Sequence, residues 1–215
     1  MFYKRFAKAQ DQISSYTHFI GAIFSVAMTL VWIFMGISQK VELKVMIATI
    51  VFGLSLISLY CSSSYYHYIS NDHKYNTIFR KLDHSMIYVL IVGTYTPLII
   101  KFYDLATQTL IILWVLALAG IIFKLFWLNA PRWISAGLYL LLGWAVIFMK
   151  SMLSLLPPMC LLLVTLGGIF YSIGGIIYIA KKPNLGKNWG FHEIFHIFIL
   201  LGSLMHILAI TFFVM

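Results

Sequence analysis

Apolar runs of 17 to 26 residues recur along nearly the whole chain, separated only by short polar segments. A run of about 20 apolar residues is the length at which a helix crosses a bilayer, and a helix is one of the few structures that satisfies its own backbone there. The runs lie at roughly 18 to 38, 43 to 68, 83 to 100, 106 to 127, 133 to 149, 156 to 180 and 190 to 214. Of the 215 residues 62% are hydrophobic and 10% charged, and the mean hydropathy is +0.94, which excludes an ordinary soluble domain. The expected fold class is therefore all-α, an integral membrane bundle of seven transmembrane helices. Residues 1–215 are expected to form one domain, because the runs leave no room for a second and no repeat or Gly/Ser linker divides them.

Lys4, Arg5 and Lys8 precede the first run as in a signal peptide, but the apolar stretch is too long and no small-residue cleavage site follows, so a retained helix is expected. Pro157-Pro158 marks a helix start. Cys61 and Cys160 both fall in apolar runs and are expected to be free, buried thiols.

Positive residues are retained on the cytoplasmic side of membrane proteins. The N-terminus (Lys4, Arg5, Lys8) and alternate loops (Lys74, Arg80, Lys81; Lys124, Arg132; Lys181, Lys182, Lys187) hold eleven of the fifteen Lys and Arg, and the other face holds Lys40, Lys44, Lys101 and Lys150. The N-terminus is then cytoplasmic and the C-terminus extracytoplasmic. The net charge of +9 is scattered over short loops, so it reads as topology and contact with anionic headgroups, not as nucleic-acid binding.

Ionisable groups inside spans are expensive and count as functional candidates. The second span ends "CSSSYYHY", with Ser63 and His67 one turn apart on one helical face. The third opens "KLDHSMIY" at the same end, bringing Asp83 and His84. The last opens "GFHEIFHIF", in which His192 and His196 share a face at i, i+4 spacing. Two such histidines and a third from a facing helix leave a coordination position open for water, as catalytic zinc sites do, whereas a structural site would want a fourth protein ligand. His67, His192 and His196 are thus the candidate ligands of Zn2+. Asp83 is placed to hold or deprotonate a water and Ser63 to donate a hydrogen bond to it or to a substrate oxygen.

The remaining polar residues have competing readings. Glu193 completes H-E-x-x-H, the signature of zinc metalloproteases, but it lies about 100° round the helix from His192 and is expected to meet Lys187 or water. His18 is either a supporting partner of the site or a satisfied interfacial histidine. His84 points away from Asp83 and is not expected to be a ligand. His206 follows the stripe of His192 but lies about 21 Å deeper, facing the interior; His73 is expected to be solvated. The aromatic residues are expected mostly at lipid or the interface.

"SSSYYH" at 62 to 67, "KLDHSMIYVLIVGTYTP" at 81 to 97 and "GFHEIFHIFILLGSLMH" at 190 to 206 together resemble the hemolysin III branch of the progestin and adipoQ receptor (PAQR) family, over nearly the whole chain. An acidic residue before the "TH" of the first span also matches, Asp11 here where related chains often carry Glu. The resemblance implies seven helices, a cytoplasmic N-terminus, and a zinc ion near the cytoplasmic face on His67, His192 and His196, with Asp83 beside it. It also implies kinship with ceramidase-like lipid-amide hydrolases.

Three functional expectations follow. The first is a zinc-dependent hydrolase of a lipid amide or ester in the cell membrane, with membrane lipids as environment and substrate, and a place in membrane lipid homeostasis. The second is a non-enzymatic membrane protein, a pore-forming haemolysin, lipid-state sensor or channel, with zinc as structural glue. A continuous polar stripe, which a pore needs, is missing, since only His206 continues the line inward. The third and weakest is an intramembrane protease with Glu193 as base. The oligomeric state is not legible in the sequence.

Overall fold

The computed structural model describes residues 6, 8–186 and 189–215. Helices account for nearly all of them: α1 Gln12–Ser38, α2 Leu43–Tyr68, α3 Asn76–Phe102, α4 Ala106–Phe126, α5 Arg132–Gly143, α6 Lys150–Leu155, α7 Pro158–Ala180 and α8 Phe191–Phe213, with a 3-10 turn at Ala145–Phe148 after α5. Among the described residues there is no strand, only an isolated bridge between Gly186 and Trp189.

Six helices, α1, α2, α3, α4, α7 and α8, are long and apolar enough to cross a membrane, and the stretch Arg132–Phe148 is apolar but shorter. The expected run at 133 to 149 is therefore broken. Its α-helix stops at Gly143, a residue that favours helix ends, whose carbonyl accepts a hydrogen bond from the Tyr95 hydroxyl. Trp144 Nε1 donates to Ser172 Oγ at 2.9 Å, which anchors the following turn to α7. The start of α7 is as expected, with Pro158 in its first turn, and the helix closes on Lys181 in the left-handed conformation, φ 55°.

Two helices begin earlier than the apolar runs suggest. α1 starts at Gln12 and α3 at Asn76, so His18 and Asp83 stand inside their helices and not at the first turn. Arg80 and Lys81 are helical too, and Lys124, expected in a loop, is buried in the last turn of α4. Of the charges used for orientation, Lys4, Arg5 and Lys187 lie outside the described residues.

Chain neighbours pack as antiparallel hairpins, α1 on α2, α2 on α3, α3 on α4 and α7 on α8, while α8 returns to α1 and α5 lies on α7. The result is a ring with α4 on its outer side. One core cluster gathers Trp32, Phe52, Leu56, Tyr60 and Ile210 between α1, α2 and α8; a second gathers Tyr88, Val92, Tyr95, Leu113 and Ala117 between α3 and α4. A few large aromatics are core residues: Trp32, Tyr60 and Phe52 are among the largest fully buried side chains. Trp32 Nε1 donates to Thr211 Oγ1 at 2.9 Å, tying α1 to α8. Ser15 Oγ donates to the Ser64 carbonyl and Ser64 Oγ to the Ser15 carbonyl, each at 2.8 Å, clamping α1 to α2. Such close polar contacts replace the hydrophobic drive that lipid cannot supply. Both cysteines are free, but Cys61 is exposed on the outer face, correcting the expectation that it is buried.

Candidate metal centre

The last turns of α2 and the first turns of α8 bring three imidazoles together. One ligand atom from each of His67, His192 and His196 lies within 4.8 Å of the others. The ring centroids stand 4.9 Å (His67–His192), 4.8 Å (His67–His196) and 4.7 Å (His192–His196) apart. His67 and His196 are each 2% exposed and His192 is half-buried. His192 Nε2 and His67 Nε2 approach to 3.3 Å. Tetrahedral zinc with Zn–N bonds of about 2.0–2.1 Å sets its ligand nitrogens about 3.3–3.4 Å apart. That pair of nitrogens matches such an ion, and the three imidazoles together make a group that could hold a metal.

A further partner sharpens that fit. Asp11, the residue just before α1, places Oδ2 2.8 Å from His67 Nδ1, and its backbone N–H donates to the His67 carbonyl at 3.0 Å. The hydrogen bond from His67 holds the Asp11 carboxyl below its usual range, against the opposing effect of partial burial. With Nδ1 carrying the proton toward Asp11, the Nε2 lone pair of His67 faces the other imidazoles, the arrangement that orients metal-binding histidines. Asp11 is thus the supporting residue that spacing alone did not reveal; the acidic position before "TH" was its signal.

Ser63 lies one turn before His67 and faces Asp83, which also feels His67. Asp83 stands outside the three-histidine group but shares a cavity wall with Ser63, His192 and His196. His18 is not a satisfied histidine: it is 3% exposed, stacks on His196 with centroids 3.9 Å apart and planes at 23°, and neither ring nitrogen has a hydrogen-bond partner. It buttresses His196. His84 and His206 stand outside the group, as expected. His206 is buried at depth, its ring beside Tyr171 and hard against Gly167, where a Cβ would come within 2.6 Å of Nε2.

Glu193 turns to the helix start. Its Oε2 accepts from the Gly190 N–H at 2.9 Å, a first-turn cap, and it does not line the cavity. The expected contact with Lys187 lies outside the described residues.

The cavity occupies about 220 Å³. It runs from His192, His196, Ser63 and Asp83 to Tyr171, Val164 and His206, and the fourteen residues from His192 to His206 correspond to about 21 Å along α8. So small a volume over that length is a slot, and its walls beyond the histidines are mainly Leu, Ile, Val and aromatic side chains.

Fold and site together define a multi-pass helical membrane protein with a buried three-histidine centre at the head of an apolar slot. Residues 6–207 match the family model described as "Haemolysin-III related". The chain is 35% identical over 211 residues to the Hemolysin-3 homolog of Bacillus subtilis (strain 168), covering 97% of this chain and 96% of the relative. It is 36% identical over 209 residues to Hemolysin-3 of Bacillus cereus, covering 96% and 92%. A 25% likeness over 243 residues to heptahelical transmembrane protein 1 of Arabidopsis thaliana covers 99% of this chain and 72% of that protein. The chain belongs to the haemolysin-III-related family, a branch of the PAQR proteins.

Proposed function

We propose that this protein is a zinc-dependent membrane hydrolase that cleaves a lipid amide or ester and thereby serves membrane lipid homeostasis. The observation that carries the reading is the convergence of His67, His192 and His196, two of which, His192 and His196, line the head of an apolar slot together with Asp83 and Ser63. A zinc ion held by the three imidazoles supplies Lewis-acid polarisation and a water made acidic enough to ionise near neutral pH. The slot receives the acyl chain and excludes bulk water from it. Asp83 accepts a proton from the attacking water as its oxygen bonds to the acyl carbon, and returns that proton to the departing amine or alcohol when the C–N or C–O bond breaks. Ser63 donates its hydroxyl proton in a hydrogen bond to the acyl oxygen as charge develops there. Asp11 and His18 hold His67 and His196 in place.

Seven crossings go with this reading, the fifth being Arg132–Phe148, whose 12 α-helical and 4 turn residues span about 26 Å. The heptahelical name of the Arabidopsis relative supports that count. With the basic residues of alternate loops inside, the N-terminus is cytoplasmic, the C-terminus is outside and the histidines are near the inner leaflet.

The test is metal content and turnover of a long-chain ceramide by purified protein. His67→Ala, His192→Ala and His196→Ala should lose both; Asp83→Ala should keep most of the metal and lose turnover. Full turnover by metal-free protein refutes the hydrolase reading.

One observation favours a second reading, a non-enzymatic membrane protein in which the ion is structural. α2 and α8 each have their nearest backbone neighbours elsewhere, so an ion on His67, His192 and His196 would add to the Tyr60–Ser203 hydrogen bond, 2.6 Å, in holding the two together. The relatives' name, hemolysin, suits membrane lysis. Under this reading chelation lowers the melting temperature while no lipid is consumed, and purified protein makes liposomes leak.

A further inference from the structure

Lys124 is unusual for a cation at the end of a membrane helix. Such a lysine ordinarily extends its ammonium outward to headgroups and water. Lys124 instead turns inward: it is 2% exposed, and Nζ donates to Ser135 Oγ at 2.7 Å. All six Asp and Glu residues of the chain lie among the described residues, and none forms an ion pair with it.

The charged neighbour that acts on it is itself a cation. Arg80 of α3 lies within electrostatic reach of Lys124, and its Nη1 donates to Asn129 Oδ1 at 3.0 Å. Arg132 begins α5 one turn before Ser135. Its guanidinium stands 4.9 Å from the ring centroids of both Tyr178 and Phe191, and its Nη1 is buried without a hydrogen-bond partner. His84, within reach of Lys124 and Arg80, also has a buried nitrogen, Nδ1, without a partner. A cation as buried as Lys124, 2% exposed beside two half-buried guanidinium side chains, is unfavourable without an opposite charge unless an anion completes the arrangement.

We propose that Arg80, Lys124 and Arg132 form a binding site for a phosphate group, as carried by an anionic phospholipid headgroup or by free phosphate. Two guanidinium forks and an ammonium with unused donors suit the several oxygens of a phosphate. Ser135, His84 and Tyr178 line the slot, so a headgroup held here can direct a chain into it. The site stands apart from the metal reading and does not depend on it.

The experiment follows the thermal unfolding midpoint of the full chain in neutral maltoside micelles. Phosphatidylglycerol, diacylglycerol with the same chains and inorganic phosphate are titrated separately into wild type, Lys124→Met, Arg132→Gln and Lys150→Met. Phosphatidylglycerol should raise the wild-type midpoint to saturation and diacylglycerol should not. Lys124→Met and Arg132→Gln should each raise the half-saturating concentration about fivefold or more, and Lys150→Met should leave it unchanged. A rise with inorganic phosphate that the same two variants weaken also supports the site and assigns it to free phosphate. An equal response to diacylglycerol, or unchanged half-saturation in both site variants, overturns the proposal. Should Lys124→Met fail to fold, Arg132→Gln at the rim decides alone.

Discussion

α2 and α4 are both long apolar helices, yet α2 buries twelve residues and α4 three. The buried face of α2 includes Thr49, Gly53, Ser55, Ser63, Ser64 and His67, while its outward residues include Leu43, Ile47 and Leu54. α4 turns Ile111, Ile112, Val115, Leu116 and Leu118 outward, and its buried residues are Leu113, Ala117 and Lys124. The usual soluble pattern is partly inverted. Lipid accepts Leu and Ile as readily as a protein interior does, so small and polar side chains mark the inside, where backbones approach closely and hydrogen-bonding groups find partners. The helix that looks less hydrophobic is the one that brings His67 to the three-histidine group.

The strongest test of this contrast is one ligand against one outward residue. On the metal reading, His196→Ala should reduce zinc affinity by about 100-fold or more, because it removes a direct ligand. Leu116→Ala on α4 should leave zinc content unchanged. Metal analysis after dialysis checks both, and equal retention in the two variants would remove His196 from the site. Asp11→Asn comes next, with an expected loss of about 10- to 100-fold in zinc affinity, the usual range for a group that orients a ligand. Competition with a chelating dye measures it; unchanged affinity would make the His67–Asp11 contact purely a link between α1 and α2.

The packing side of the comparison is tested at Gly53. A Cβ there would overlap the Thr29 side chain of α1, so Gly53→Val should destabilise the fold by about 1–3 kcal/mol. Leu118→Ala, outward on α4, should change stability by less than about 0.5 kcal/mol. Unfolding in mixed micelles distinguishes them, and equal losses would mean that α4 is not peripheral.

The same contrast explains what the sequence disclosed. Apolar run lengths located the helices because backbone satisfaction in lipid leaves few alternatives, and i, i+4 spacing joined His192 to His196 because helical geometry is rigid. The juxtaposition of His67 with that pair followed from depth, since both helix ends meet the same boundary. Hidden were the features set by tertiary contact. The break after Gly143 coincides with a hydrogen bond from the Tyr95 hydroxyl of α3 to its carbonyl. The stacking of His18 on His196 depends on how α1 meets α8. The inward turn of Lys124 depends on Ser135 of another helix, and charge counting alone places such a lysine in a loop.

Glu193→Gln should have the smallest effect. Glutamine keeps an acceptor oxygen for the Gly190 N–H and is itself a favourable residue at the third helical position, so stability should change by less than about 0.5 kcal/mol. Zinc content and lipid turnover should match wild type, because Glu193 is engaged at the helix start and absent from the slot wall. A loss of turnover with zinc retained would return Glu193 to the role that H-E-x-x-H gives it in proteases. That outcome would require its carboxylate to leave Gly190 and turn toward the imidazoles, so the same variant also tests whether the first turn of α8 holds one conformation.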